Sequence, residues 1–383
     1  MNESEFRYAD YSLSGDQEAV RDAFADFFAK QCPAERVRKA EPLGYDETLW
    51  RQLTDMGAAS MGLPEQAGGD GASLVDLLLV AEELGGAAAP VPFIEHAAAS
   101  RALAEAPGAP AGLLADAATG RRLLALAMRP ADGQARQLVP GGAVARDVLA
   151  LTGDTLVVVH ADSPPPLVPN QGSTPLAWWD LAGGSRDEIA EGPGAVTLYR
   201  RARAEWKLLT AAALVGLTER ALGIAVEFAK TRETMGVPIG SLQGVSFPLA
   251  DVAIGISGAR NLARRAAWML EHEPGQSRHL VPAAFAYAAE VATGGATTSA
   301  HMQGGLGFTI EADASLYFLR AKGWSVLAGD PAEDVIAVAD ALAAQALAAE
   351  ALAADGLAAD GLAADGLAAD GLAADGLAAD DGR

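Results

Sequence analysis

The sequence predicts a mainly helical protein with a small β domain inserted between two helical bundles. Three observations predict this. Alanine supplies much of a 50% hydrophobic content while aromatics reach only 6%, and alanine is the strongest helix former. Apolar residues recur at helical spacing over residues 15–105 and again over 205–345. Between these stretches, over 120–200, the pattern breaks into short apolar runs bounded by Gly, Pro and Asp, as strands joined by turns are. At 383 residues the chain is long for one compact core. The expected division is an N-terminal helical domain over 1–118, a shortened β domain over 119–203, a C-terminal helical bundle over 204–345 and a repeat tail over 346–383.

In the first part, Val20, Phe24, Phe27 and Phe28 mark one helix, and Leu49, Leu53 and Met56 a second. Gly68-Gly69-Asp70-Gly71 reads as a loop. A third helix runs from about Ser73, a plausible N-cap, to Leu84, with Gly85-Gly86 as its stop. The runs Leu123–Met128, Val148–Leu151, Thr155–Ala161, Leu176–Leu181 and Ala195–Tyr199 read as strands. Long helices follow over Leu208–Lys230, Pro248–Leu270 and Val281–Met302, with a last one near Ala332–Ala344. From Ala341 the sequence settles into a five-residue repeat, Leu-Ala-Ala-Asp-Gly. Five residues advance a helix by about 500°, so the leucines form no stripe, and each unit carries a helix-weakening glycine. The expectation for the tail is disorder.

Net charge is −22, and residues 346–383 contribute −7 of it. A surface this acidic repels nucleic acid and anionic lipid. One cysteine, Cys32, permits no internal disulfide. The N-terminus lacks the basic start and apolar stretch of a signal peptide, and no segment reads as long and apolar enough to span a bilayer. The expected location is cytoplasmic. His96, His160, His272, His279 and His301 show no metal-ligand spacing, so surface or capping roles are expected. Walker, Gly-x-Gly-x-x-Gly and Gly-x-Ser-x-Gly motifs are missing from their required contexts. Gly304-Gly305-Leu306-Gly307 follows a helix and reads as a tight turn. Glu82-Glu83 reads as a solvated edge.

Three stretches together carry a resemblance. The first is Leu49-Trp50, Met56-Gly57, Gly62-Leu63-Pro64-Glu65, Gly68-Gly69, Gly71 and Glu82-Glu83-Leu84-Gly85. The second runs from Ala229 through Arg232 and Met235-Gly236 to Pro238-Ile239-Gly240 and Gln243. The third is Gln303-Gly304-Gly305-Leu306-Gly307-Phe308. In this order the chain resembles the acyl-CoA dehydrogenase family. The resemblance implies a helical domain, a β domain and a four-helix domain, FAD, an acyl-CoA thioester substrate and a dimer or dimer of dimers. The reaction implied is α,β-dehydrogenation, in which a glutamate removes the α proton and the flavin takes the β hydride. It implies Arg232 and Gln243 on the FAD pyrophosphate, and Gln303, Gly304, Gly305 and Gly307 at the adenosine part. The bland reading of Arg232 is a surface salt bridge with Glu233 or Glu227. Met235 stands where the family usually has Phe.

The resemblance also shows what is missing. Ungapped counting places Ala328 at one usual position of the catalytic glutamate and Trp206-Lys207 at the other. Neither Ala nor Trp is a base, and Glu205, one residue early, is a weak candidate. The β domain lacks a Thr-Glu-Pro segment and a following Gly-Ser-Asp. In the family, the elements retained here reach the FAD of the neighbouring subunit, and those missing serve the subunit's own FAD. The expectation is a base-less subunit of an α2β2 heteromer. It resembles bacterial members that act on steroid-derived or other bulky CoA thioesters, with an electron-transfer flavoprotein as the family's acceptor. The alternatives are an active homo-oligomer using Glu205 or another carboxylate, a flavin-free scaffold, or a redesigned site.

Overall fold

The computed structural model describes residues 12–275 and 278–347. The predicted disordered tail, from residue 348 on, falls outside these residues. Helices α1 (Gly15–Gln31), α2 (Ala34–Lys39), α3 (Glu47–Asp55), α4 (Leu74–Gly86), α5 (Phe93–Glu105) and α6 (Ala111–Ala118) form the first part. Ser14 and Ser73 close reciprocal capping boxes with Gln17 and Asp76, which fixes where α1 and α4 begin.

Strands β1 (Leu124–Leu126), β3 (Asp147–Thr152), β4 (Thr155–His160) and β6 (Ser185–Glu191) make one sheet in the order β1-β3-β4-β6. Strands β2 (Arg136–Val139) and β5 (Ala177–Asp180) pair separately. Side chains alternate along β3 and β4. Leu149, Leu151, Leu156 and Val158 face the helices. Val148, Ala150, Val157 and Val159 face the small sheet, around Val139 and Trp179.

Helices α7 (Gly192–Thr231), α8 (Gln243–His272), α9 (Leu280–Met302), α10 (Asp313–Trp324) and α11 (331–347) complete the chain. The strand expected at Ala195–Tyr199 is the first part of α7. Ala195, Tyr199 and Ala202 are buried at helical spacing, and a proline in the first turn supports the start. The expected absence of a segment able to span a bilayer is also corrected, because α7 passes that test by length and composition. Two thirds of its apolar window is buried inside the protein, as befits the central helix of a bundle.

The two helical parts meet at α4 and α7. A Cβ added at Gly85 would lie 1.9 Å from the Ala213 carbonyl oxygen, and one at Gly216 the same distance from that of Glu82. Only backbone fits there. The Glu82-Glu83 pair at this seam is not a solvated edge. Glu82 bonds Arg260 of α8 at 2.7 Å, and burial, followed by the charges of Glu82 and Glu219, pushes the Glu83 carboxyl up to about 7. His96 is likewise not at the surface. It is wholly buried, its Nδ1 accepts from Leu124 N–H at 3.3 Å, its Nε2 donates to Ala117 O at 3.0 Å, and burial depresses its pKa to about 4. Cys32 is a free, buried thiol.

Candidate functional site

The second and third motifs meet at one end of the C-terminal bundle. Arg232 caps α7, and its carbonyl accepts from Ile239 N at 2.8 Å, closing a hairpin of β7 (Glu233–Thr234) and β8 (Val237–Pro238). Met235 and Gly236 turn it, both with positive φ, 51° and 79°. That is the conformation a two-residue hairpin requires, and a Met held there is unusual. Gln243 starts α8. Met302, at the end of α9, packs beside Ile239 and Val245 on the buried residues Ala225, Ala229 and Leu249. Gln303 and the following glycines therefore lie at the same end as the hairpin.

This end is open. Arg232, Gln243, Gly304 and Gly305 are exposed, and Met235 is 95% exposed. Arg232 makes no ion pair among the described residues. Glu227, one of its expected partners, bonds Lys230 instead. A Cβ added at Gly304 or Gly305 would meet nothing within 4 Å. Gln303 is buried, with Nε2 bonded to Ser299 O, and Gly307 lies against Ala300, where a Cβ would come within 2.2 Å of its carbonyl oxygen. The segment Gly304–Phe308 is a 3-10 turn, as tight as the sequence suggested. A free cation, an amide and bare glycine backbone suit a pyrophosphate and its adenosine. These residues fit FAD, but only from one side.

The opposite set of residues surrounds a cavity of about 50 Å³ between the helical parts, lined by Glu95, Thr174, Thr210, Arg320, Trp324 and Leu327, among others. That volume holds a few waters at most. As it stands, that space is smaller than an isoalloxazine ring or an acyl chain. The 170–175 loop of the β domain closes one side. Trp324 Nε1 donates to Gly172 O at 3.2 Å, and a Cβ on Gly323 would fall 2.5 Å from Gly172 Cα. Ala328, beside Leu327, packs on the core. Trp206 is buried against Phe285, and Lys207 is ion-paired to the buried Asp334. The expected base positions thus hold a methyl group and an indole.

Glu205 is buried and engaged. Arg101 Nε donates to it at 2.9 Å and Arg201 Nε at 3.0 Å. Arg101 also bonds Glu271 and the Gly62 carbonyl, so the cluster ties α5, α7, α8 and the glycine loop together. Sequence reasoning did not identify Glu95. It is buried, and desolvation pushes its carboxyl up to about 7. The Trp206 indole N–H lies near enough to favour the carboxylate, yet it makes no hydrogen bond of normal geometry. The Thr174 and Thr210 hydroxyls are also buried without partners. No group of metal-ligating side chains forms among the described residues.

Comparison with known proteins gives the same outline. The family profile of the acyl-CoA dehydrogenase N-terminal domain matches residues 14–106, and that of the C-terminal domain matches 201–356. Acyl-CoA dehydrogenase IpdE2 of Mycobacterium tuberculosis is 32% identical over 83% of this chain and 94% of its own. The ChsE4-ChsE5 complex from Mycobacterium tuberculosis contains a chain 27% identical, with a TM-score of 0.78, over 87% of this chain and 99% of that one. The Tcur3481-Tcur3483 steroid ACAD G363A variant gives 26% and 0.78 over 88% and 100%. The chain belongs to the acyl-CoA dehydrogenase family, FAD-dependent oxidoreductases that act on the CH–CH bond of CoA thioesters.

Proposed function

We propose that this chain is the base-less subunit of a heteromeric acyl-CoA dehydrogenase, completing the FAD site of a homologous catalytic subunit. The observation that carries this reading is the contrast between the two half-sites. Arg232, Gln243, Gln303 and the glycines are present and uncovered, whereas the chain's own cavity is closed and holds no carboxylate at the family positions. FAD, when bound, supplies the hydride acceptor. This chain's part is to bind and orient: Arg232 offsets pyrophosphate charge, Gln243 donates its amide, and the 303–307 turn gives close backbone approach. The base and the acyl pocket belong to the partner.

The surface supports a partner at this end. Phe247, Ile254 and Ile310 are 59%, 69% and 79% exposed. Beside them an apolar groove of about 570 Å³ runs between α7, α8 and the hairpin, with Leu222, Val226 and Leu249 in its wall. Exposed apolar residues gathered in this way mark association surfaces. The similarity to a chain of the ChsE4-ChsE5 complex points to an unequal partner, and the similarity to a steroid ACAD points to a bulky CoA thioester. Two arginines on Glu205 weigh against its use as a base, since abstraction of a proton needs a free, positioned carboxylate.

The test is the visible spectrum of the purified chain, alone and after co-expression with a homologue that carries the Glu-Arg pair. The expected result is a colourless chain alone and a yellow complex with one flavin for each pair of chains. A yellow chain that bleaches with an acyl-CoA on its own would overturn the reading.

A further inference from the structure

On a protein of net charge −22, one cleft is basic. It opens where α3, the turn from α6 into β1 and the residues before β3 come together, and its volume is about 420 Å³. That size is typical of small-molecule sites. Arg51, Arg121, Arg122 and Arg146 line it with Tyr45, and Glu47 is the one carboxylate among its lining residues. It shares no lining residue with the Glu95 cavity or with the hairpin groove.

Two of the arginines are oriented and two are free. Arg122 gives Nε and Nη2 to the fully buried Asp147, which His160 Nδ1 also bonds at 2.6 Å. Its Nη1 makes no bond among the described residues. Arg121 uses only Nη2, on Asp116 at 2.7 Å. Arg51 reaches Thr48 Oγ1 at 3.5 Å and meets no carboxylate among the described residues. Arg146 has no side-chain bond there at all, and the Tyr45 hydroxyl is equally unused. Guanidinium groups drawn from three elements repel one another unless an anion joins them, and their forked donors match phosphate oxygens. Arg51 and Arg146, without ion-pair partners among the described residues and facing the single lining carboxylate of Glu47, leave the cleft net positive, which favours a compact, multiply charged anion.

We propose that this cleft is a binding site for a small molecule carrying a diphosphate, separate from the flavin half-site. Arg51 and Arg146 supply cations without ion-pair partners among the described residues. Arg122, set by Asp147, supplies a fixed donor, and Tyr45 a hydroxyl. Burial, first among its causes, pushes the Tyr45 phenol up to about 12, so it remains a donor at neutral pH.

The experiment is calorimetric titration of the full chain with ADP and, separately, inorganic pyrophosphate, at low and at raised salt. The expected result is one saturable site per chain, weakened by salt. Affinity in the Arg51→Gln/Arg146→Gln double variant falls at least about tenfold, the scale of lost charge-assisted bonds. Arg186→Gln, at an exposed position of β6 outside both sites, leaves the affinity unchanged. Both free arginines are exposed, so thermal melts of the double variant should match the parent and exclude misfolding. Equal affinity for the two ligands assigns recognition to the diphosphate, and tighter ADP adds the nucleoside; both uphold the site. No binding of either ligand at millimolar concentration overturns the proposal. So does a loss seen with Arg232→Gln but not with the double variant.

Discussion

Replacing Glu95 by Gln tests the character of the closed cavity. The folded protein holds this carboxyl at about 7 through burial, against 4.5 ordinarily. The folded state therefore binds the proton more tightly than the unfolded chain does. Well below pH 4.5 the group is neutral in both states and costs nothing. Between about pH 4.5 and 7 the unfolded chain ionises in water while the folded one keeps its proton, so stability falls across that window and levels off above about 7, where the folded carboxyl ionises as well. The gap corresponds to about 3 kcal/mol, of which less than about 1 kcal/mol is lost by pH 5. Glutamine has no proton to lose. Urea unfolding of the parent and Glu95→Gln at pH 5, 6, 7 and 8 should show near-equal stabilities at the acid end. At about pH 8 the variant should be about 3 kcal/mol more stable. A parent–variant difference that stays constant across this range would refute the reasoning, because it would mean the carboxyl titrates alike in both states.

Other perturbations follow from the same structure. Glu205→Gln leaves Arg101 with only Glu271 and Arg201 with only Glu105 as counter-charge, and should cost about 2–3 kcal/mol, below the figure for a fully orphaned buried ion, read as a lower urea midpoint with the same slope. Ile254→Glu together with Phe247→Glu should leave the melting temperature of the isolated chain unchanged and abolish co-purification with the catalytic homologue. Arg232→Gln in the co-expressed complex should lower flavin content while the complex still forms on size exclusion. Ala328→Glu should not create activity in the chain alone, since the 50 Å³ cavity admits no thioester; bleaching of added flavin by an acyl-CoA would contradict this.

Much of the fold was legible because its signals are local. Ser73 with Asp76 announces α4 within four residues, and the apolar rows of α7, α8 and α9 repeat often enough to fix their faces. Strand β2 was missed because four alternating residues, two of them exposed, barely form a pattern. Ala195–Tyr199 was read as a strand because a five-residue apolar run cannot show its period; Ala202, three residues on, reveals the helix. The same division holds for the site. Arg232, Gln243 and Gln303–Gly307 sit in contiguous motifs, and the structure brings these motifs to one end of the bundle. The Glu205 cluster joins residues 62, 101, 201, 205 and 271, and the Glu95 cavity joins α5, α7, α10 and a β-domain loop. No spacing in one stretch encodes such meetings. Burial also turned His96, a plausible surface group by type, into a partnered interior one, and packing at the α4–α7 seam half-buries Glu82 and Glu83 and pairs Glu82 with Arg260.

The glycine contact between α4 and α7 has a mechanical consequence. Two helices touching backbone to backbone have no side-chain layer to slide on, so the seam resists both shear and spreading. Close backbone contact at Gly85 and Gly216 holds the two helical parts together at this seam. In the proposed heteromer, the movement that admits substrate is expected away from this seam, in the partner or in the 170–175 loop that contacts α10 at Gly172 and Gly323. A methyl group added at Gly216 would act as a wedge, felt along the whole seam and not at one residue.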